Sequence, residues 1–240
     1  MQLTVVIPTY NEAENLQKLV SALFSLPLQG LKILVVDDNS PDGTGQTADE
    51  LAAASAGQLG VLHRPGKCGL GSAYLQGFDR VLKEGAQAVG QMDADFSHPP
   101  KMLVDLMHSL ESCDVALGSR YIPGGSVDCQ WPLWRKGLSG FGNLYARTLL
   151  GLQVKDATGG LRIWRRQALL GMPLERIRSN GYAFQVEMIY LASRLGYRLQ
   201  ETPFYFADRH QGRSKMSFRI QAEAAVSVWQ MLLRYRDLHH

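Results

Sequence analysis

Five short apolar runs, each breaking off into polar residues, leave this chain little choice of architecture. They are Leu3-Thr4-Val5-Val6-Ile7, Lys32-Ile33-Leu34-Val35-Val36, Val61-Leu62-His63, Ala88-Val89-Gly90-Gln91-Met92 and Asp114-Val115-Ala116-Leu117-Gly118. Continuous rather than alternating hydrophobicity marks strands buried on both faces. Between the first two runs Leu16, Leu19, Val20 and Leu23 recur at helical spacing, with Asn11 as the expected N-cap and Glu14 as its capping-box partner. Strand, amphipathic helix and strand make a βαβ unit, so the sheet is parallel and carries helices on both faces. Further helices are expected from Thr44 through Leu51, over Ala73 to Leu82, and after Pro100, where Leu103, Leu106, Met107 and Leu110 recur.

The residues after each run carry the chemistry. Thr9/Asn11, Asp37/Asp38, His63/Arg64, Asp93/Asp95 and Ser119/Arg120 stand at successive strand ends. In open α/β sheets ligands bind at that carboxyl edge. At the fourth end, Pro99 and Pro100 forbid a continuing central strand. On extended chain Asp93 and Asp95 point the same way, and two adjacent carboxylates repel unless a cation lies between them. A divalent ion such as Mg²⁺ or Mn²⁺, held by oxygen ligands and shared with substrate phosphates, meets that need. Two solvated aspartates on a surface loop are the alternative.

Gly66-Lys67-Cys68-Gly69-Leu70-Gly71 opens a helix without matching either the P-loop or the full dinucleotide fingerprint. Its glycines serve either a phosphate cradle or close packing, and Lys67 is a mobile cation beside any bound diphosphate.

Composition narrows the class. The chain has 240 residues, 45% hydrophobic and 20% charged, which is ordinary for one large or two small globular domains. A net charge of +3 is too modest to imply nucleic acid as a partner. Cys68, Cys113 and Cys129 are odd in number and lack metal-ligand spacing, so they are expected reduced, in a cytosolic protein. No run reaches the roughly 20 apolar residues of a membrane span, and no signal peptide is expected before Leu3.

The second half changes character. Ile122 to Ser126 is expected as loop. From Trp131 to Leu152 a helix crowds Trp131, Trp134, Arg135, Lys136, Phe141, Tyr145 and Arg147 together, as at a membrane interface, unless the aromatics are core and the cations solvated. Lys155 to Arg162 is expected as a turn of tight backbone contacts. A helix follows from Asn180 to Leu195, in which Glu187 either positions other groups or pairs with an arginine. Leu199 to Phe206 is expected as strand, leading into Asp208 to Met216, whose cations and glycine suit a mobile flap over phosphates. The last helix, Ile220 to Arg236, lies on a membrane, docks a partner or covers the domain's own core.

Val6-Ile7-Pro8-Thr9-Tyr10-Asn11-Glu12, Val36-Asp37-Asp38-Asn39-Ser40-Pro41-Asp42-Gly43-Thr44, Met92-Asp93-Ala94-Asp95 and Gly118-Ser119-Arg120-Tyr121 together resemble the family 2 glycosyltransferases. Within them the resemblance is to the dolichol-phosphate (polyprenol-phosphate) mannose synthases, and it covers nearly the whole chain. Trp131-Pro132-Leu133-Trp134-Arg135-Lys136 is similar to that branch's segment beside the lipid acceptor. Lys155 to Arg162 is similar to its Asp-X-X-Ser-Gly-Phe-Arg stretch, with Thr158 and Gly160-Leu161 as variants. Asp208 to Met216 is similar to its Arg-X-X-Gly-X-Ser-Lys-Met loop.

The resemblance implies a GT-A, Rossmann-like fold with a mixed, mainly parallel sheet and helices on both faces. Residues 1–218 form the transferase domain, and 219–240 an amphipathic helix and tail without a transmembrane segment. It implies inverting transfer of mannose from GDP-mannose to a polyprenyl or dolichyl phosphate, by a chain peripheral on the cytoplasmic membrane face. A partner subunit supplying an anchor is left open, as is transfer of glucose or another sugar from a UDP-sugar. Pro8, Tyr10, Glu12 and Asp38 match nucleoside contacts, and Lys67 and Ala94 complete the donor side. Asp93 and Asp95 match the holders of the catalytic Mg²⁺ or Mn²⁺. Ser97 stands where many relatives carry Gln, and its hydroxyl can reach the metal or its water. Arg120 joins the two aspartates as catalytic, while Arg135, Arg209, Ser214 and Lys215 face the acceptor phosphate. That phosphate needs no general base, because its second ionisation lies near 6 and its oxygen is already anionic.

Overall fold

The computed structural model describes residues 1–207 and 218–238. In chain order the elements are β1 (Leu3–Thr9), α1 (Ala13–Phe24), β2 (Lys32–Asp37), α2 (Thr44–Ala54), β3 (Leu59–His63), α3 (Leu70–Lys83), β4 (Ala88–Gln91), α4 (Met102–Ser109) and β5 (Val115–Ser119). Then come β6 (Ser126–Val127), α5 (Leu133–Leu150), β7 (Arg162–Arg165), α6 (Arg166–Gly171), α7 (Gly181–Arg194), β8 (Leu199–Pro203), β9 (Tyr205–Phe206) and α8 (Phe218–Arg234).

The five apolar runs all become strands of one seven-stranded sheet, ordered β3-β2-β1-β4-β7-β5-β8. Val5 of β1 lies between Ile33 of β2 and Gly90 of β4 in parallel register. One strand runs against the rest. β7 pairs antiparallel with both β4 and β5, so these two, consecutive among the five runs, are not neighbours.

The expected turn over 155–162 keeps its irregular path up to Leu161; only its last residue enters this unforeseen strand, in which Arg162 to Arg165 is extended with Ile163 and Trp164 wholly buried. Part of the expected loop over 122–126 is also paired, because β6 and β9 form a small parallel ribbon. Within the expected strand from Leu199 to Phe206, β8 ends at Pro203 and β9 belongs to that second sheet.

Apolar side chains cover both sheet faces, as the buried strands require. Leu16, Leu19 and Leu23 of α1, Ala48 of α2 and Leu103 and Leu106 of α4 pack on one face. Phe78 of α3, Leu150 of α5, Phe184 and Met188 of α7, and Val228, Met231 and Tyr235 of α8 pack on the other. The inner side of α8 therefore closes the domain's own core, while Val226, Trp229 and Leu233 remain exposed.

Glu187 locks this corner, and it does both things expected of it. Wholly buried, it accepts from Arg234 Nη1, from the Tyr235 hydroxyl at 2.8 Å, and from the amides of Arg178 (3.2 Å) and Ser179 (2.9 Å).

The start of α1 differs from the expected capping box. Asn11 adopts φ 62° and no side chain of α1 caps its own end. The free amides are met from the next loop instead: Asp42 Oδ2 accepts from Ala13 N at 3.1 Å and Thr44 Oγ1 from Glu12 N at 2.9 Å. The first two βα corners are thereby fastened together at the sheet's carboxyl edge.

Candidate active site

That edge gathers the ends of β1 to β5 in one place. Asp37 is a clasp within it: Thr9 Oγ1 (3.0 Å) and Ser40 Oγ (2.6 Å) both donate to its Oδ1. Asp38 turns the other way, into a buried ion pair with Arg64 whose Nη1 lies 2.5 Å from Oδ1. Burial raises the Asp38 pKa in spite of Arg64 and the Cys68 amide. Arg64 Nη2 in turn donates to Ser72 Oγ of α3 at 2.6 Å.

The glycine loop meets the first strand end, since Lys67 Nζ lies 3.9 Å from the centroid of the Tyr10 ring. Close packing accounts for Gly69 and Gly71, whereas a Cβ on Gly66 would meet nothing within 4 Å. A Cβ on Gly69, which has φ 97°, would lie 2.7 Å from Asn180 Oδ1. Pro8 sits in β1 opposite Val36, and Glu12 Oε2 accepts from Asn15 Nδ2 at 2.9 Å. Pro8, Tyr10, Glu12, Asp38 and Lys67 thus belong to one end of the edge.

The acidic turn follows β4 directly. Ala94 and Asp95 are buried and Asp93 half-buried. Ser97 is wholly buried, and both its amide (3.0 Å) and its hydroxyl (2.5 Å) donate to Asp95 Oδ1. Asp93 N donates to His98 Nδ1 at 3.2 Å, which assigns the ring's proton to Nε2 when the imidazole is neutral. Burial lowers the His98 pKa, against the pull of Asp93 and Asp95. Tyr74 of α3 reaches the same turn, its hydroxyl 3.4 Å from Asp93 Oδ1. The groups that could hold a metal here are the carboxylates of Asp93 and Asp95. Among the described residues no three His, Cys, Asp or Glu side chains converge.

Arg120 follows β5 and is buried in a two-pronged pair with Asp156. Nε lies 2.7 Å from Oδ2, Nη2 lies 2.8 Å from Oδ1, and Nη2 also donates to Thr158 Oγ1 at 2.8 Å. Burial works against both charges, yet Asp156 raises the Arg120 pKa and Arg120 lowers that of Asp156. Glu201 Oε1 holds the Asp156 amide at 2.8 Å. Behind them Arg162 is wholly buried, donating to the carbonyls of Gln185 and Ala157, and burial pushes its pKa down to about 9.

An aromatic wall joins Arg120 to Arg135. The Arg120 guanidinium lies 5.3 Å from the Phe206 ring, Phe206 meets Trp131 edge-on at 5.7 Å, and Arg135 lies 3.7 Å from the Trp131 ring. His98 abuts Phe206 at 5.6 Å, which ties this wall to the acidic turn. Trp131 is core, whereas Trp134 is 67% exposed. Arg209, Ser214 and Lys215 lie outside the described residues.

Four residues here escaped sequence reasoning: Tyr74, His98, Asp156 and Phe206. For His98 a signal existed, three residues past Asp95 in the turn itself. For Asp156 another did, since it is the aspartate of the stretch from Lys155 to Arg162, whereas Tyr74 and Phe206 come from segments that gave none.

The model of the family described as "Glycosyl transferase family 2" matches residues 4–171, from β1 through α6. Over 97% of its length this chain is 45% identical to the polyprenol monophosphomannose synthase of Mycolicibacterium smegmatis, covering 87% of that protein. Over 99% of its length it is 43% identical to the undecaprenyl-phosphate mannosyltransferase of Micrococcus luteus, covering 98% of that one. A mannosyltransferase from Pyrobaculum calidifontis, solved in complex with GDP-Man and Mn²⁺, superposes with a TM-score of 0.63 at 19% identity, over 97% of this chain and 64% of that one. At such identity the superposition speaks for the shared fold alone.

Proposed function

This chain belongs to glycosyl transferase family 2, with the mixed, mainly parallel sheet of the GT-A fold, and we propose that it transfers mannose, with inversion, from GDP-mannose to a polyprenyl phosphate. One observation carries the proposal. The acidic turn after the central strand β4 and the two arginines of the aromatic wall converge through His98 and Phe206, which supports the reading of a donor site and an anion site on one floor. The two relatives at 43–45% identity, named for mannosyl transfer to polyprenyl phosphates, support the sugar and the acceptor.

The residues fit a divalent cation. The donor set is oxygen only, the hard kind that Mg²⁺ and Mn²⁺ take. Gly160 leaves space beside it, since a Cβ there would lie 3.7 Å from Asp93 Oδ1. Asp93 and Asp95 would hold the ion, and Ser97 keeps Asp95 oriented through two donors. When bound, such an ion neutralises charge on the leaving diphosphate.

The chain's own groups do the rest. Tyr10, Glu12, Asp38 and Pro8 bind the nucleoside, with Lys67 close to the diphosphate and the Ala94 backbone beneath the donor. Arg120 and Arg135 draw the acceptor phosphate to the wall, and Arg209, Ser214 and Lys215 complete its surroundings. An oxygen of that phosphate attacks the anomeric carbon, the bond from that carbon to the donor diphosphate breaks, and GDP leaves. No side chain removes a proton, because the attacking oxygen is already ionised at neutral pH. Positive charge, not a base, is what the site must supply.

A greasy acceptor has to be met at a membrane. No helix among the described residues is long and apolar enough to cross one. Leu133, Trp134, Phe141 and Leu144 of α5 and Val226, Trp229 and Leu233 of α8 are exposed, and the helices adjoin where Trp229 Nε1 donates to the Tyr145 hydroxyl at 3.1 Å. That surface seats the chain peripherally on the cytoplasmic membrane face, with residues 1–218 as the transferase domain and α8 serving both core and surface.

The test is a panel of radiolabelled nucleotide sugars offered with a short polyprenyl phosphate. Label enters the organic phase from GDP-mannose and not from UDP-glucose; preference for UDP-glucose refutes the donor assignment. In the same assay Arg135→Ala raises KM for the lipid phosphate by roughly tenfold, as loss of one charge-assisted contact should, and leaves KM for GDP-mannose unchanged.

A further inference from the structure

Tyr74 has no part in the chemistry above, yet its placement is tightly specified. Its side chain is wholly buried on α3, stacked on Phe184 (centroids 5.8 Å apart, planes 3° apart) and tilted against Phe78. Phe184 has no slack in turn, because a Cβ on Gly71 would lie 2.9 Å from its ring. A buried phenol requires a hydrogen-bond partner. Among the described residues the partner this hydroxyl has is Asp93 Oδ1, at 3.4 Å. At neutral pH a phenol keeps its proton, so Tyr74 donates and Asp93 accepts. The contact is long for such a bond, as contacts in unliganded sites often are before substrate tightens them.

We infer that Tyr74 is a positioning residue whose hydroxyl holds Oδ1 of Asp93 and so fixes the orientation in which that carboxylate meets a divalent cation. This rests on the reading of Asp93 and Asp95 as metal-holding residues. Ser97 does for Asp95 what Tyr74 does for Asp93, but from within the same turn, whereas Tyr74 reaches across from a helix. That helix begins at Leu70, directly after the loop that carries Lys67, so the diphosphate loop and one metal-holding carboxylate are attached to a single rigid element. Outer-shell partners of this kind change metal affinity by about 10–100-fold when removed.

Tyr74→Phe deletes the hydroxyl and keeps the stacked ring. Free Mn²⁺ is followed by its electron paramagnetic resonance signal as each protein is titrated in the presence of GDP. The expected result is a Mn²⁺ dissociation constant raised about tenfold, with GDP affinity in the absence of metal and the thermal midpoint close to the parent's. Phe184→Leu, which loosens the ring and leaves the hydroxyl, is expected to shift Mn²⁺ affinity far less. Equal Mn²⁺ affinity in the parent and Tyr74→Phe overturns the inference, as does an equal weakening by Phe184→Leu. A parent that takes up no Mn²⁺ at all overturns instead the metal reading on which the inference rests.

Discussion

Asp95→Asn lowers mannosyl transfer about 10³-fold, the upper end of what removing one preorganised electrostatic group costs, and leaves the protein folded. Asparagine keeps an oxygen to accept from the Ser97 amide and hydroxyl, so the turn's hydrogen bonds survive the change. What disappears is one of the two charges that would hold a divalent ion against the donor diphosphate. The loss should therefore fall on kcat and on KM for GDP-mannose, with GDP affinity measured under chelator unchanged. Initial rates with GDP-mannose and a short polyprenyl phosphate, run beside a thermal melt, read both effects. Activity within tenfold of the parent would remove Asp95 from the chemistry.

Asp156→Ala destabilises the fold by about 3–5 kcal/mol, the range for breaking a buried ion pair from one side. The side chains of Asp156 and Arg120 are 0% and 5% exposed, so solvent does little to soften the loss. The change leaves the Arg120 guanidinium uncompensated and also orphans the amides of Arg120 and Gly159, which donate to the same carboxylate at 3.0 Å each. Out of a total of 5–15 kcal/mol for an ordinary domain, such a loss is a large share.

Its dependence on pH has a definite sign. Arg120 holds the folded-state pKa of Asp156 below the ordinary value of 3.8, against the effect of burial. A depressed carboxylate stabilises fully above its unfolded pKa and loses that contribution as the pH falls through the folded one. Urea denaturation should thus separate parent and variant by the full margin at pH 7, and the margin should shrink below about pH 4. A difference under 1 kcal/mol at pH 7 would contradict the account of this pair.

How much of this was legible in the sequence depends on how local each feature is. Asp93-Ala94-Asp95 could be read because strand alternation and the following prolines act within a few residues. The parallel sheet was equally plain, since its buried strands write themselves as unbroken apolar runs.

β7 hid because Arg162-Ile163-Trp164-Arg165 is bounded by charges, and arginine is almost never fully buried. Arg162 nonetheless is, donating to the carbonyls of Gln185 in α7 and of Ala157 in the turn just before the strand. The Asn11 cap failed for a related reason: the amides it should have met are taken by Asp42 and Thr44, about thirty residues on.

Within the site, Arg120 was legible as a cation but not as half of a pair, since Asp156 lies 36 residues away. Trp131 and Trp134 look alike on paper, and only the edge-on contact with Phe206 decides which of them is buried. Tyr74 reads as one more apolar position on an amphipathic helix until its hydroxyl is placed beside Asp93.

The chemistry proposed for this chain depends on Asp93 and Asp95 sharing a divalent ion with the donor's diphosphate. Calorimetric titration of GDP into chelator-stripped protein, with and without Mn²⁺, tests it most directly. Mn²⁺ should tighten GDP binding at least about tenfold, roughly 1.4 kcal/mol, and Asp95→Asn should abolish the gain. The same affinity with and without the ion, or a gain that persists in the variant, would contradict it.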